Sequence, residues 1–328
     1  MHLLGAILAV LSAATFALTN ATGRRGVISG TPAQGMVISM PVGLACFLAI
    51  ALLTGAFQTL SRVTAFGLAS LSAAGVLHFV FGRYCNLRAT QAAGVNLTAP
   101  VMQLNSVVTL VLAVVVLRES CTMLQVVGAV LMVAGSFVTQ SGSRDPTMAS
   151  KPQERPVFAP RVAAGVFFAA LAAFAYGTSP IIIRQALLDA GPLSGVAGGS
   201  IAYGAATIAV ALGLLVPSLR RNVTKVSAEN ARWFVYSGIF VAAAQGFLYS
   251  ALALAPIMVI APLLQLSLVF RFLFSYLLNP HHEIFGLTVV MGSVVSIIGA
   301  CTIAVDTQLI VHALSVPEPL AAYLRSQL

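Results

Sequence analysis

The chain has 328 residues, of which 59% are hydrophobic and 8% charged, with a mean hydropathy of +0.98. That composition excludes a water-soluble globular surface and describes a protein that lives in lipid. The net charge of +9 is spread thinly between apolar runs, which excludes the concentrated basic face of a nucleic-acid binder.

Ten apolar runs long enough to cross a bilayer follow one another, at about residues 3–20, 33–54, 64–82, 95–117, 121–140, 162–180, 192–217, 233–252, 256–279 and 284–305. The expected fold is an all-α polytopic membrane protein of ten transmembrane helices. The first run, MHLLGAILAVLSAATFA, has the length and small residues of a secretory signal. However, GAILAVLSAATFALTNATGR (Gly5–Arg24) lies over GVFFAALAAFAYGTSPIIIR (Gly165–Arg184) at a constant offset of 160. A removable leader has no need of an internal twin, so the run is read as the first membrane helix. The third run carries His78 in AAGVLHFVFG, placed either to relay protons or to bond a neighbouring helix.

The fourth run opens on APVMQL and the ninth on APLLQL, at an offset of 162. Pro100 and Pro262 each remove a backbone donor and disturb the preceding turn, and the freed carbonyls are tolerated in a membrane only against protein or water. They are candidate helix-breaking or gating positions. Gln103 and Gln265 fall near mid-span, where an amide facing lipid is costly, so they are expected to face a shared interior. A polar stripe continues one turn on, through Asn105 and Thr109 in the first copy and Ser267 and Arg271 in the second, with Ser275 beyond. Arg271 is the one basic residue placed well inside a run, too far from the span end at Asn279 for comfortable snorkelling, and is expected to serve function.

The fifth run contains GAVLMVAG (Gly128–Gly135), which matches GSVVSIIG (Gly292–Gly299) of the tenth at an offset of 164, as Glu119 matches Glu283. Between the halves lies SGSRDPTMASKPQERPVFAPR, with four prolines and mixed charge. The organisation expected is a first five-helix repeat at 1–140, a linker at 141–161, a second repeat at 162–305 and a short tail at 306–328. Five crossings per unit force the second unit to enter from the opposite face, which makes the repeats inverted, with a site at the midplane. In the second unit Tyr176, Gln245 and Tyr249 offer further polar and aromatic cavity surface, whereas Gly195 and Gly199 read as close helix packing. Trp233 and Tyr236 read as interfacial anchors.

All eight acidic residues fall at span ends, in loops or in the tail, so none is expected to be buried. Exchange of protons for a cationic drug on an embedded carboxylate is therefore disfavoured, and the cavity suits an anionic, zwitterionic or neutral polar metabolite. His281-His282-Glu283 lacks a further ligand, the four cysteines have no metal spacing or plausible disulfide, and no phosphate loop or nucleophile elbow is present, so neither metal nor cofactor is expected.

Ten spans in two fives, a proline-started helix ending in Arg118-Glu119 and a small-residue helix after it resemble the drug/metabolite transporter superfamily, EamA type, over about residues 3–305. The resemblance implies a secondary transporter, commonly an exporter, with a substrate cavity near the bilayer centre lined by the central helices of both halves. It implies a multi-pass protein of the cell's inner or plasma membrane, with a small-molecule substrate and membrane lipids as partners. A monomer suffices, since one chain holds both repeats, and a homodimer is the alternative. The arginine that the second helix of each half often carries in the superfamily is missing from QGMVISMPVGL and GSIAYGAATIA. The expected binding residues are Gln103, Asn105, Thr109, Gln265, Ser267, Arg271, Tyr249 and His78. An intramembrane enzyme acting on a lipid or sugar is the rival reading, and the catalytic cluster that it needs is not found. Twelve Lys and Arg fall on the side of the odd-numbered loops and four on the other, so the positive-inside rule places both termini outside. The resemblance implies cytoplasmic termini. That orientation is preferred because Arg24 and Arg83 stand at span ends.

Overall fold

A computed structural model describes residues 2–56, 58, 63–118, 120–142, 159–187, 194–254, 260, 263–305 and 307–326. The first repeat contains α1 (His2–Ser29), α2 (Pro32–Thr54) and α3 (Ala65–Gly75). α3 continues through a π-helical segment, Val76–Gly82, into α4 (Arg83–Met102), and α5 (Asn105–Leu117) and α6 (Met123–Gly142) follow. The second repeat contains α7 (Val162–Leu187), α8 (Ser194–Gly213), a short α9 (Pro217–Val223), α10 (Ala228–Leu254), α11 (Ser267–Leu278) and α12 (Leu287–Ala304). Two short helices, α13 (Thr307–Ala313) and α14 (Glu318–Arg325), complete the described tail. Pro262, Glu119 and most of the linker, at 143–158, lie outside the described residues.

Among the described residues, seven helices are long and apolar enough to cross a membrane, and the longest, Ala65–Val116, holds two crossing arms. The arms meet at Gly94, whose φ of 82° and ψ of 171° interrupt α4. Only glycine takes that conformation without strain, and a Cβ here would also stand 2.5 Å from the Glu283 carboxylate.

Two expected span ends move. The first helix runs on to Ser29 and the third to the Gly94 kink, so Arg24 and Arg83 belong to helices and are buried, at 2% and 5% exposure. No proline or glycine cluster separates Gly82 from Gly94, and nothing there stops the helix. Neither arginine is a loop charge, and neither bears on orientation.

The packing follows membrane logic, with large apolar side chains such as Leu53, Phe137 and Leu287 turned outward and small residues turned in. In α1 the inward stripe is Ala9, Ala13, Ala17 and Ala21, four residues apart, which lets α10 approach closely. The contacts obey a pseudo-two-fold rule. α1 packs on α10, and its counterpart α7 packs on α3 and α4; α1 packs on α11, and α7 on α5. α2 meets α8, and α6 meets α12, which are pairs of equivalent helices. The repeats are interlocked across this axis.

The matched segments GAVLMVAG and GSVVSIIG meet face to face. A Cβ on Gly135 would lie 2.5 Å from the Gly292 carbonyl oxygen, and one on Gly292 2.6 Å from that of Gly135. Gly128 and Gly299 repeat the reciprocal approach at 2.8 and 2.5 Å. We therefore expect Gly135→Leu to force α6 off α12 and to cost at least the ~1–3 kcal/mol typical of overpacking. A lowered melting temperature of purified protein in detergent would report it, and an unchanged one would refute the contact.

Candidate functional site

Between the repeats lies a cavity of about 750 Å³, walled by α1, α2, α3, the π segment, α4, α5, α7, α8, α10 and α11. Most of the wall is apolar. The polar side chains on it include Asn20, His78, Arg83, Asn86, Gln103, Asn105, Tyr176, Gln245, Gln265, Ser267 and Arg271, and no carboxylate lines it among the described residues.

The two glutamines meet on the pseudo-axis, where Gln103 Nε2 donates to Gln265 Oε1 at 2.6 Å. Each sits in a break before its helix resumes, and the two breaks have the same backbone pattern. Leu104 N–H bonds the Val101 carbonyl, and Leu266 N–H that of Leu263, both at 3.1 Å. Ser106 likewise bonds Gln103, and Leu268 bonds Gln265, again at 3.1 Å. The first of these tight turns lies just after Pro100, whose own effect falls on the turn before it. The glutamine amides thus sit where the backbone is already irregular, turned to the interior.

Arg271 projects from α11 to the cavity wall, and its buried Nε and Nη1 have no acceptor among the described residues. One turn further on, the Ser275 hydroxyl is buried and likewise unpartnered. Asn105 and Ser267 line the cavity beside the glutamines. Thr109 does not. Its hydroxyl donates to the Gly177 carbonyl of α7 at 2.9 Å and to Asn105 at 3.0 Å, which fastens α5 to α7 where the helices nearly touch. The Tyr249 side chain, like Pro262, lies outside the described set.

His78 lies in the π segment, where the irregular turn brings its ring to the wall. Its Nδ1 is 2.7 Å from the Ser179 Oγ, and its ring lies 4.5 Å from Tyr176 and 4.7 Å from Phe79, centroid to centroid. π-helical turns are frequent at functional sites because they reposition side chains at the expense of regular bonding.

Sequence reasoning missed Arg83, Asn86 and Asn20. Arg83 donates from Nε to Ser39 Oγ at 3.3 Å and from Nη2 to Ser237 Oγ at 2.8 Å, two neutral acceptors. Asn86 Nδ2 donates to Asn20 Oδ1 at 3.1 Å and to the Tyr176 hydroxyl at 3.3 Å. The signal for them was the unbroken helix past Gly82, which puts Arg83, Asn86 and Thr90 on one face. Arg271 is therefore not alone as a basic residue within a span.

The expectation that no acid is buried is also corrected. Glu283, in the turn before α12, has a side chain of 0% exposure and pairs with Arg24 Nε at 3.3 Å. Its two oxygens accept the Val95 and Asn96 N–H groups at 2.8 and 3.0 Å, closing the N-terminus of the arm that begins at Gly94. Burial raises its pKa to about 7, against the pull of Arg24 and of the two N–H groups. Because every partner is a donor, the carboxylate is the form that this setting holds. Arg24 spends its other donors on the Gln91 and His282 carbonyls at 3.1 and 2.8 Å. The sequence hid this acid because a loop position gave no sign that three elements close over it.

Two interlocked helical repeats around a central cavity with polar side chains on a mostly apolar wall form an architecture met in membrane transporters. The chain belongs to the EamA-like transporter family, whose profile matches residues 3–140 and again 163–305. This places it in the drug/metabolite transporter superfamily, whose members of this family are transporters, and makes it an integral multi-pass membrane protein. No curated protein matches the sequence. A solved structure, titled only as the crystal structure of a protein, is similar over 95% of this chain and 97% of that one, with a TM-score of 0.56 and 17% identity. That likeness concerns the fold alone.

Replacing Glu283 by alanine leaves Arg24 buried without its counter-charge and two amides uncapped. Removal of one partner from a buried pair costs about 3–5 kcal/mol, so Glu283→Ala should largely abolish folded protein. Glu283→Gln, which still accepts from an amide, should fold better. Equal yields of monodisperse protein from both variants and the parent would contradict this role.

Proposed function

We propose that the protein is a secondary transporter that moves small polar metabolites, anionic or zwitterionic, by alternating access around the central cavity. The observation that carries the reading is Arg271, a buried guanidinium with unpartnered nitrogens on the wall of a cavity that no carboxylate lines among the described residues. A buried cation without a partner is costly, and an anionic ligand is the group that relieves it. Gln103, Gln265, Asn105 and Ser267 are proposed to complete the polar contacts, with His78 and Tyr176 on the same cavity wall. Because the glutamines bond each other across the pseudo-axis, a solute that inserts between them reaches both repeats at once. We place the protein in the inner or plasma membrane, working in the export direction common in the superfamily, as a monomer or a homodimer of such units.

Arg271→Met keeps most of the volume and removes the charge. Loss of a charge-assisted hydrogen bond corresponds to about ten- to a hundredfold in affinity. We expect anionic solutes to bind that much more weakly to Arg271→Met in a thermal-stabilisation assay, while neutral solutes change little. Accumulation of a bound solute in everted, but not right-side-out, vesicles is the expected sign of export. Unaltered anion binding by well-folded Arg271→Met would discard the reading.

A further inference from the structure

We propose that the substrate is a small organic dianion held between Arg83 of the first repeat and Arg271 of the second. This rests on the reading of the cavity as the transport site. Among the described residues, Arg24, Arg83 and Arg271 hold guanidinium nitrogens inside the molecule, and they differ in one respect. Arg24 has the Glu283 carboxylate beside it. Among the described residues, Arg83 donates to the Ser39 and Ser237 hydroxyls, and Arg271 offers Nε and Nη1 to no acceptor.

Arg83 and Arg271 both line the cavity, so they share one enclosure. With no carboxylate on the wall among the described residues, two fixed positive charges face it without a fixed counter-charge. In a largely apolar enclosure each uncompensated charge is expensive, and a monoanion leaves one of the pair uncompensated. A solute with two negative charges balances both. Guanidinium suits carboxylate and phosphate alike, because its planar fork matches their oxygens. The shared chemistry is therefore a dianion on a compact carbon skeleton, either a dicarboxylate or a phosphate monoester. Since one arginine comes from each repeat, the solute would tie the repeats together when bound and leave two like charges facing each other when it departs.

The test uses the full chain purified in detergent at pH 7.5 and reads the thermal shift on addition of ligand. The panel holds C4 to C8 straight-chain dicarboxylates with their monoamides, and glycerol phosphate with glycerol. The monoamide keeps length and shape and carries one charge. We expect at least one dianion to bind about tenfold or more tighter than its singly charged or neutral match. In Arg83→Met, and separately in Arg271→Met, that advantage should fall to within about threefold. Arg83→Lys, which keeps the charge if Arg83→Met does not fold, should retain it. The dicarboxylate and glycerol phosphate arms tell the two chemistries apart. Equal binding of dicarboxylates and monoamides by the parent protein, with glycerol phosphate no tighter than glycerol, overturns the dianion and leaves the anion-binding cavity standing. A panel in which only glycerol binds, or nothing binds, overturns both.

Discussion

The geometry of the cavity depends on one carboxylate. Glu283 stands in a turn of the second repeat, yet its oxygens close the start of an arm of the first, at Val95 and Asn96, while Arg24 of α1 neutralises it. An unclosed helix start in a membrane leaves N–H groups without water to satisfy them, so the capping group is a condition for bending the chain there at all. Gly94 supplies the bend, and Asn279 ties the same turn to the Ala21 carbonyl of α1 at 3.0 Å. The arm that carries Pro100, Gln103 and Asn105 thus enters the interior at an angle set by three elements from both repeats.

Irregular backbone and polar function coincide in this molecule. The turns at Gln103 and Gln265, the Gly94 kink and the π segment at His78 all interrupt regular helix, and all lie at the cavity or at the latch beside it. Hydrocarbon permits such backbone only where protein or an interior covers it. Thr109, one turn into regular helix, is taken up by a helix contact instead.

Much of the architecture was legible in the residues. Membrane character, the paired segments Gly5–Arg24 and Gly165–Arg184, and the glycine-rich partners of α6 and α12 follow from hydropathy and from repetition, because small residues at equal spacing have few uses in lipid beyond close packing. The mutual approach of Gln103 and Gln265 followed from their shared offset. Helix ends were poorly legible, and the errors had consequences. A hydropathy window stops where arginine begins, yet Arg24 and Arg83 continue their helices because partners far away in sequence satisfy them. Glu283 was hidden for the same reason, since its burial comes from α1 and α4 and not from its own neighbourhood.

The π segment has a further consequence for how α3 and α4 share one wall. An α-helix turns about 100° per residue, so an element that accommodates an extra residue shifts the angular phase of everything after it by about that amount. Upstream, Leu71, Ala74 and Gly75 face the cavity, with Gly75 against the Ala202 backbone of α8; downstream, Arg83 and Asn86 face it too. Val76–Gly82 works as a phase adjuster between two faces that a uniform helix would hold out of step. Wound as an ordinary helix with its length unchanged, the stretch would swing the guanidinium and the amide round the barrel of the helix, away from the interior. The number of residues in that stretch is then as much a determinant of the cavity wall as their identity.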